Sequence, residues 1–361
     1  MLRIILIGNG FDLAHGLKTR YKDFIDDFWE KEKQKVIIGI QNNSIYRPFY
    51  YENEYIRIEA HGTVPHLLRN VSMFGGYTWF QSLHDSGIKS LPEYESEKTI
   101  IKYKNTFLKK ISEMNSLENW VDIENEYYDE LKQYYKDLNS IKSIHDDFQK
   151  IQGLLINYLT EQLNEKPPTI QKISQYFYSP FIDNDFIKPI KQDEKLEKII
   201  FLNFNYTTTM YLYNYGNEVP NELIHIHGEL NKNDNPIIFG YGNEREENYK
   251  LIVNKNRNEL FKYIKSFRYS KNENYRNLIR NINAREYQIF IFGHSCGLSD
   301  GTLLSTLFEH PNCKSIKIFY YENPNGKNNY EDTYMNISRH FSNPEKMREI
   351  VVPEKSSLAY C

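Results

Sequence analysis

The 361-residue chain sets 45 Lys and Arg against 48 Asp and Glu, a net charge of −3, with 40% apolar and 26% charged residues. That balance fits a globular protein and gives no overall bias toward nucleic acid, and no stretch reaches the ~20 apolar residues of a membrane span. Cys296, Cys313 and Cys361 form no C-x-x-C pair, so neither a zinc ribbon nor a disulfide framework is indicated, and a reducing, cytoplasmic compartment is expected.

A chain of this length can bury roughly three quarters of its unfolded surface, and the length predicts about two domains. Residues 2–7 read as an apolar run ending at Gly8, too short for a signal peptide and patterned as a strand buried on both faces. The run opens into Gly8-Asn9-Gly10-Phe11-Asp12-Leu13-Ala14-His15-Gly16. Strand, G-x-G and helix form a phosphate-binding arrangement, because glycine admits a pyrophosphate close to the backbone and a helix N-terminus offers free N–H groups. Leu13 stands where the dinucleotide fingerprint has its third glycine, and a plain tight turn remains an alternative.

The middle of the chain changes character. Trp120, Ile123, Tyr127, Leu131, Tyr134 and Leu138 recur at helical spacing, as do Phe148, Ile151, Leu155, Tyr158 and Leu159. Residues 31–195 are therefore expected to be a mainly helical insertion, with 1–30 and 196–361 forming one discontinuous core. The acids Asp122, Glu124 and Glu126 read as a solvated helix face, with an acid pair or metal ligands as the alternative, and Trp120–Glu124 could instead cover a nucleotide cleft or make a protomer contact.

Three further apolar runs follow, at 199–202, 288–292 and 316–320, with a shorter one at 236–239. Strands alternating with helices predict an α/β fold with a parallel sheet. The run at 199–202 ends in Asn203-Phe204-Asn205-Tyr206-Thr207, polar residues at the C-terminal end of a strand, where open α/β sheets bind ligands. A capping role for Asn205 is the alternative. His225-Ile226-His227-Gly228 would place both histidines on one face of a strand; a third metal ligand is not evident, and no metal is predicted.

Residues 255–285 hold nine Lys and Arg against Glu259 and Glu273, with Phe261, Tyr263, Phe267, Tyr269 and Tyr275 among them. A solvated basic helix face is expected there, and single-stranded nucleic acid is the rival partner. The last strand turn, Gly293-His294-Ser295-Cys296-Gly297-Leu298-Ser299-Asp300, also fits the G-x-S-x-G elbow of a serine hydrolase, with Asp332 and His340 as later candidates.

Taken in order, these elements resemble the sirtuin-like NAD-binding fold and, more narrowly, the AbiH family of bacterial abortive-infection proteins. The segment Leu6–Thr19 carries most of the likeness, extended by Tyr21, Asp23-Phe24, Trp120–Glu124, Phe204–Thr207, His225–Gly228 and Gly293-His294-Ser295. The resemblance implies a Rossmann-like parallel sheet with NAD as substrate. By it, Gly8, Gly10 and Gly16 match the glycine loop around the dinucleotide, with Asn9, Phe11 and Asp12 beside them. Asn205 matches the residue that orients the nicotinamide ribose, and His227 the general base. Tyr206 and Thr207 flank that site, while Gly293, His294, Ser295 and Asp300 belong to the adenosine side.

The sequence departs from the sirtuin pattern in having Asp12 where serine stands, Lys18 where proline stands, and Thr207 in place of the aspartate of Asn-x-Asp. The four-cysteine zinc module of the deacylases cannot be built. The expected role is an antiphage effector that hydrolyses NAD to ADP-ribose and nicotinamide. A non-catalytic nucleotide sensor, a homo-oligomer, and a phage-derived trigger or defence partner protein are all compatible with the sequence, which does not name the trigger.

Overall fold

The computed structural model describes residues 1–42, 49–61, 74–86, 98–114, 120–163, 167–191, 193–213, 219–246, 249–255 and 257–360. Its centre is a six-stranded parallel sheet of β1 (Leu2–Ile7), β5 (Lys198–Asn203), β6 (Asn221–His225), β7 (Tyr287–Phe292), β8 (Cys313–Tyr320) and β9 (Leu358–Ala359), in the order β6-β5-β1-β7-β8-β9. The chain thus builds outward from β1 on one side, then crosses β1 and builds outward on the other. In a doubly wound sheet that reversal opens a crevice at the C-terminal ends of the strands flanking the switch point, here β1 and β7.

Every residue of β1 and β7 is buried, which explains the near-continuous apolar runs: both faces of these central strands are covered. One face packs Leu2, Ile4, Leu6, Ile200, Leu202, Ile289 and Ile291 against the helix Gly301–Phe308; the other packs Ile5, Ile7, Phe201, Phe290 and Phe292 with Phe11 and Phe177. Arg3 lies inside the first run and is fully buried. Its guanidinium donates to Gln288 Oε1 and to the carbonyls of Phe177 and Ser179, so a charge in the core keeps its hydrogen bonds.

The described residues divide into two compact units. One comprises residues 1–19, 124–141 and 156–361 and holds the large sheet; the other comprises 20–123 and 142–155. Residues 124–141 and 156–195, expected to lie in the insertion, are thus in the sheet unit. The second unit is not wholly helical. Beside the helices Tyr21–Gln41, Gly76–Ser86 and Thr106–Glu113 it contains an antiparallel sheet of β2 (Phe49–Glu52), β3 (Ile56–His61) and β4 (Lys98–Tyr103). Its core gathers around Trp29, whose ring meets Phe28, Phe80 and Tyr103 and whose Nε1 donates to Ser112 Oγ at 3.0 Å.

Three local expectations are corrected. The run Pro236–Phe239 is not a strand; it is an irregular segment in which Ile238 N–H donates to the His227 carbonyl at 2.7 Å. The helical pattern from Trp120 to Leu138 breaks after Tyr134, and Leu138 opens the next helix, Leu138–Gln162; Ile123, Tyr127 and Leu131 are buried while Tyr134 and Leu138 are exposed. The basic stretch is a series of short pieces, Asn258–Phe261, Lys265–Arg268, Tyr269–Lys271 and Asn274–Ala284, with Tyr263, Lys265 and Tyr269 buried. Of its five aromatics Tyr263 and Tyr269 point into the core, while Phe267 stays exposed. Among the described residues no helix is long and apolar enough to cross a membrane, and no cluster of His, Cys, Asp and Glu could hold a metal ion.

Candidate functional site

The glycine turns after β1 and β7 lean on each other at the switch point. Gly10 N–H donates to the Gly293 carbonyl at 2.8 Å, and Gly8 N–H donates to the Phe292 carbonyl at 3.0 Å. Gly293 has φ +65°, and a Cβ on it would sit 2.3 Å from the backbone nitrogen of Phe11; a Cβ on Gly8 would sit 2.4 Å from the His294 Cα. These glycines are required because two backbones touch here, and only a residue without Cβ permits it. The helix after Gly8 is six residues long, Asn9–Ala14. Phe11 is core, packed on His15, Phe177 and Tyr213, while Gly16, with φ +80°, ends the short helix in the left-handed conformation favoured there. Asn9 Oδ1 accepts from Thr19 Oγ1 at 2.6 Å.

A first polar cluster gathers at the C-terminal ends of β1, β5 and β6. Thr207 Oγ1 donates to Asp12 Oδ2 at 2.6 Å. Two of the three positions where the sequence departs from the sirtuin pattern, Asp12 and Thr207, therefore meet in one hydrogen bond. Asn205 donates its amide to the Gly8 carbonyl at 2.9 Å, so it ties the β5 turn to the β1 turn. Asn203, not Asn205, shapes the local turn: its Oδ1 accepts from Asn205 N–H at 3.0 Å, and its Nδ2 lies 3.3 Å from His225 Nδ1. Glu229 faces His225 at 4.0 Å and Tyr211 at 3.2 Å. Burial raises the Asp12 carboxyl to about 6, against the opposing hydrogen bonds of Thr207, Thr209 and Asn205. Burial also lowers His225, against the pull of Glu229.

A second cluster is ionic and centred on Lys265. Its Nζ lies 2.8 Å from Glu124 Oε2 and 2.7 Å from Asp300 Oδ1, and all three side chains are buried. The helix Trp120–Tyr134 delivers Glu124, anchored one turn on by Tyr127 against Tyr263 and by Tyr128 stacked on Tyr241 at 3.9 Å. Asp300 ends the turn Leu298–Asp300 that follows the β7 glycine loop. His227 Nε2 lies 3.2 Å from Asp300 Oδ1 and 3.2 Å from Tyr269 Oη; His294 Nε2 lies 3.5 Å from Asp300 Oδ2. Phe204 packs between the two imidazoles, with ring centroids 5.1 Å from His227 and 4.1 Å from His294.

The charges in this cluster sort themselves. Burial works against Asp300 being ionised, but Lys265 and His227 outweigh it and hold its carboxyl well below the usual range. Burial also opposes the Lys265 charge, and Asp300 and Glu124 reverse that and raise it. For Glu124 burial prevails over Lys265, and its carboxyl is raised. His227 is pushed down to about 4, first by burial and then by the Lys265 charge, which leaves its imidazole neutral at physiological pH. A neutral ring with one nitrogen on a carboxylate is the arrangement that fixes a tautomer and leaves the other nitrogen with a free lone pair to accept a proton.

The structure thus brings together Gly8, Asp12, Asn205 and Thr207 in one cluster and His227, His294 and Asp300 in the other. Strand β6 ends at His225, and the chain turns before His227, so the two histidines face different partners and do not share one face. Tyr206 reaches away to the Ile238 carbonyl, and Ser295 is exposed on the loop. The elbow geometry is absent at Ser295. The strained residue is Cys296, with φ 53°, and His340 Nε2 meets the Cys296 carbonyl at 2.8 Å. The sequence reading took Asn203 as one of several polar strand-end residues and His225 as one of two histidines on a strand face, and did not single out Glu229. Glu124 and Lys265 were read as solvated; nothing in their local spacing marks them, because their partner is each other across the fold.

The family model described as Bacteriophage abortive infection AbiH matches residues 4–322. The chain belongs to the AbiH family. This AbiH protein is a phage abortive-infection defence protein, and the match spans both polar clusters. No curated protein and no solved structure matches it.

Proposed function

We propose that this AbiH protein binds NAD at the C-terminal edge of its parallel sheet and hydrolyses it to ADP-ribose and nicotinamide, so that loss of the dinucleotide halts the infected cell. The observation that carries the reading is the strand order. It reverses at β1, as in doubly wound dinucleotide-binding sheets, and the polar side chains of both clusters converge on the strand ends around that reversal.

Nicotinamide leaves readily because its ring nitrogen is cationic in NAD, and its departure leaves an oxocarbenium-like ribose. The site then has to orient that ribose and supply a base to water or to a hydroxyl. Asn205, on the β5 turn and bonded to Gly8, is placed to orient the ribose. His227, neutral and paired with Asp300, is the base. Its pairing also supports a role for Asp300 beyond the adenosine side: it holds the imidazole in one tautomer.

The test is NAD loss by purified protein beside an Asn205→Ala, His227→Ala double variant. Turnover in the wild type and its loss by a factor of about 10² or more in the variant is expected, the range a positioned base contributes. Equal turnover by both proteins would remove these residues from the mechanism. Saturable binding of NAD or ADP-ribose without turnover would instead favour a sensor.

A further inference from the structure

Two buried polar atoms at this edge have no hydrogen-bond partner among the described residues: Oδ1 of Asp12, and Nε2 of His225, which Glu229 Oε2 approaches only to 4.0 Å. Asp12 is 1% exposed and His225 4%. Both are tied to the turn after β5, Asp12 through Thr207 Oγ1 at 2.6 Å and His225 through Asn203 Nδ2 at 3.3 Å. A buried polar group without a partner is costly, and more so when charged, so its retention calls for an explanation, and a ligand that satisfies it is one.

The surroundings specify the ligand. Asn203, Thr207 and Thr209 add hydrogen-bonding groups, and Asp12 and Glu229 add carboxylates. Lys232, the cation that acts on His225, has its own side chain exposed. Carboxylates with amides and hydroxyls repel a phosphate and suit a polyol or a cation. Asp12 and His225 are also separate from the Lys265-centred cluster, so their unpaired atoms are not explained by it.

We propose that Asp12 and His225 line a subsite for the nicotinamide riboside end of the dinucleotide, which carries both a vicinal diol and a positive charge. The assignment rests on the nucleotide reading above. Asp12 Oδ1 accepts from a ribose hydroxyl and faces the pyridinium charge, and His225 Nε2 bonds the neighbouring hydroxyl. The pyrophosphate and adenosine then lie away from these carboxylates.

Calorimetric titration with nicotinamide riboside, NAD and ADP-ribose tests this on the wild type, Asp12→Asn and His225→Gln, each checked for folding by its thermal melt. Nicotinamide riboside binding is expected in the wild type and should weaken about tenfold or more in each variant, the scale of one charge-assisted hydrogen bond. ADP-ribose, which lacks the cation, should lose less in Asp12→Asn. Unchanged nicotinamide riboside affinity in either folded variant would overturn the subsite, while NAD binding by the same proteins would leave the nucleotide reading standing. Wild-type binding of nicotinamide riboside without binding of NAD or ADP-ribose would overturn the dinucleotide reading and keep the subsite. Binding of none of the three would overturn both.

Discussion

At the scale of single residues, Asp12 makes the relation between stability and function measurable. Its carboxyl is raised from 3.8 to about 6 by burial. The folded protein therefore holds the proton more tightly than the unfolded chain. Above the unfolded value the folded state is penalised, increasingly up to about pH 6, and the penalty is complete beyond that. At 1.36 kcal/mol for each pH unit the shift corresponds to at most about 3 kcal/mol. Asp12→Asn, which keeps shape and an acceptor for Thr207, is expected to be more stable than the wild type at pH 8 and equal to it below about pH 4. Urea unfolding at the two pH values checks this; a loss of stability at pH 8 would show that the carboxylate supports the fold. A side chain whose removal stabilises the protein while weakening ligand binding is the signature of a functional site.

At the scale of elements, the paired glycine turns show how two strands meet. The sequence reading took Gly8 and Gly10 as room for a pyrophosphate, and part of that room is filled by the β7 turn, through Gly10 N–H on the Gly293 carbonyl. Gly293 and Gly326 both have positive φ, +65° and +76°, but a Cβ on Gly326 meets nothing within 4 Å while one on Gly293 meets the Phe11 backbone at 2.3 Å. Gly326→Ala should therefore cost about 1 kcal/mol, the conformational penalty alone. Gly293→Ala should cost clearly more, on the order of 2–4 kcal/mol, because the β1 and β7 turns must separate. Thermal melts of the two variants separate backbone conformation from close approach. Equal losses would mean that the contact between the turns yields easily.

At the scale of the whole molecule, Glu124, Lys265 and Asp300 are remote in the chain and joined only in the sheet unit. Replacing the cation leaves two buried carboxylates facing each other, so Lys265→Met should cost about 3–5 kcal/mol, the range for breaking a buried pair. Glu124→Gln keeps the Lys265–Asp300 pair and should cost much less. Denaturant midpoints of both variants test this, and a Lys265→Met loss under 1 kcal/mol would show the cluster to be dispensable for folding.

The sequence by itself determined the four inner strands of the six-stranded sheet. The runs that became β1, β5, β7 and β8 are apolar because strands covered on both faces have nowhere to place polar groups, and burial is local enough in its demands to be written into each run. The helical spacing of Ile123, Tyr127 and Leu131, and the motifs that place the chain in its family, were legible for the same reason. Tertiary structure alone decided which polar residues meet. Lys265 lies in a stretch that reads as a solvated basic face, Glu124 among alternating acids, and His225 beside His227 in a pattern that predicts one shared face. The first two readings were overturned by partners far away in the chain, and the third by the end of β6 at His225 and the turn that follows it. Charge pairing acts between side chains brought close in space and imposes no period on the sequence around them, so the ionic cluster and the unpaired atoms of Asp12 and His225 could be found only in the folded molecule.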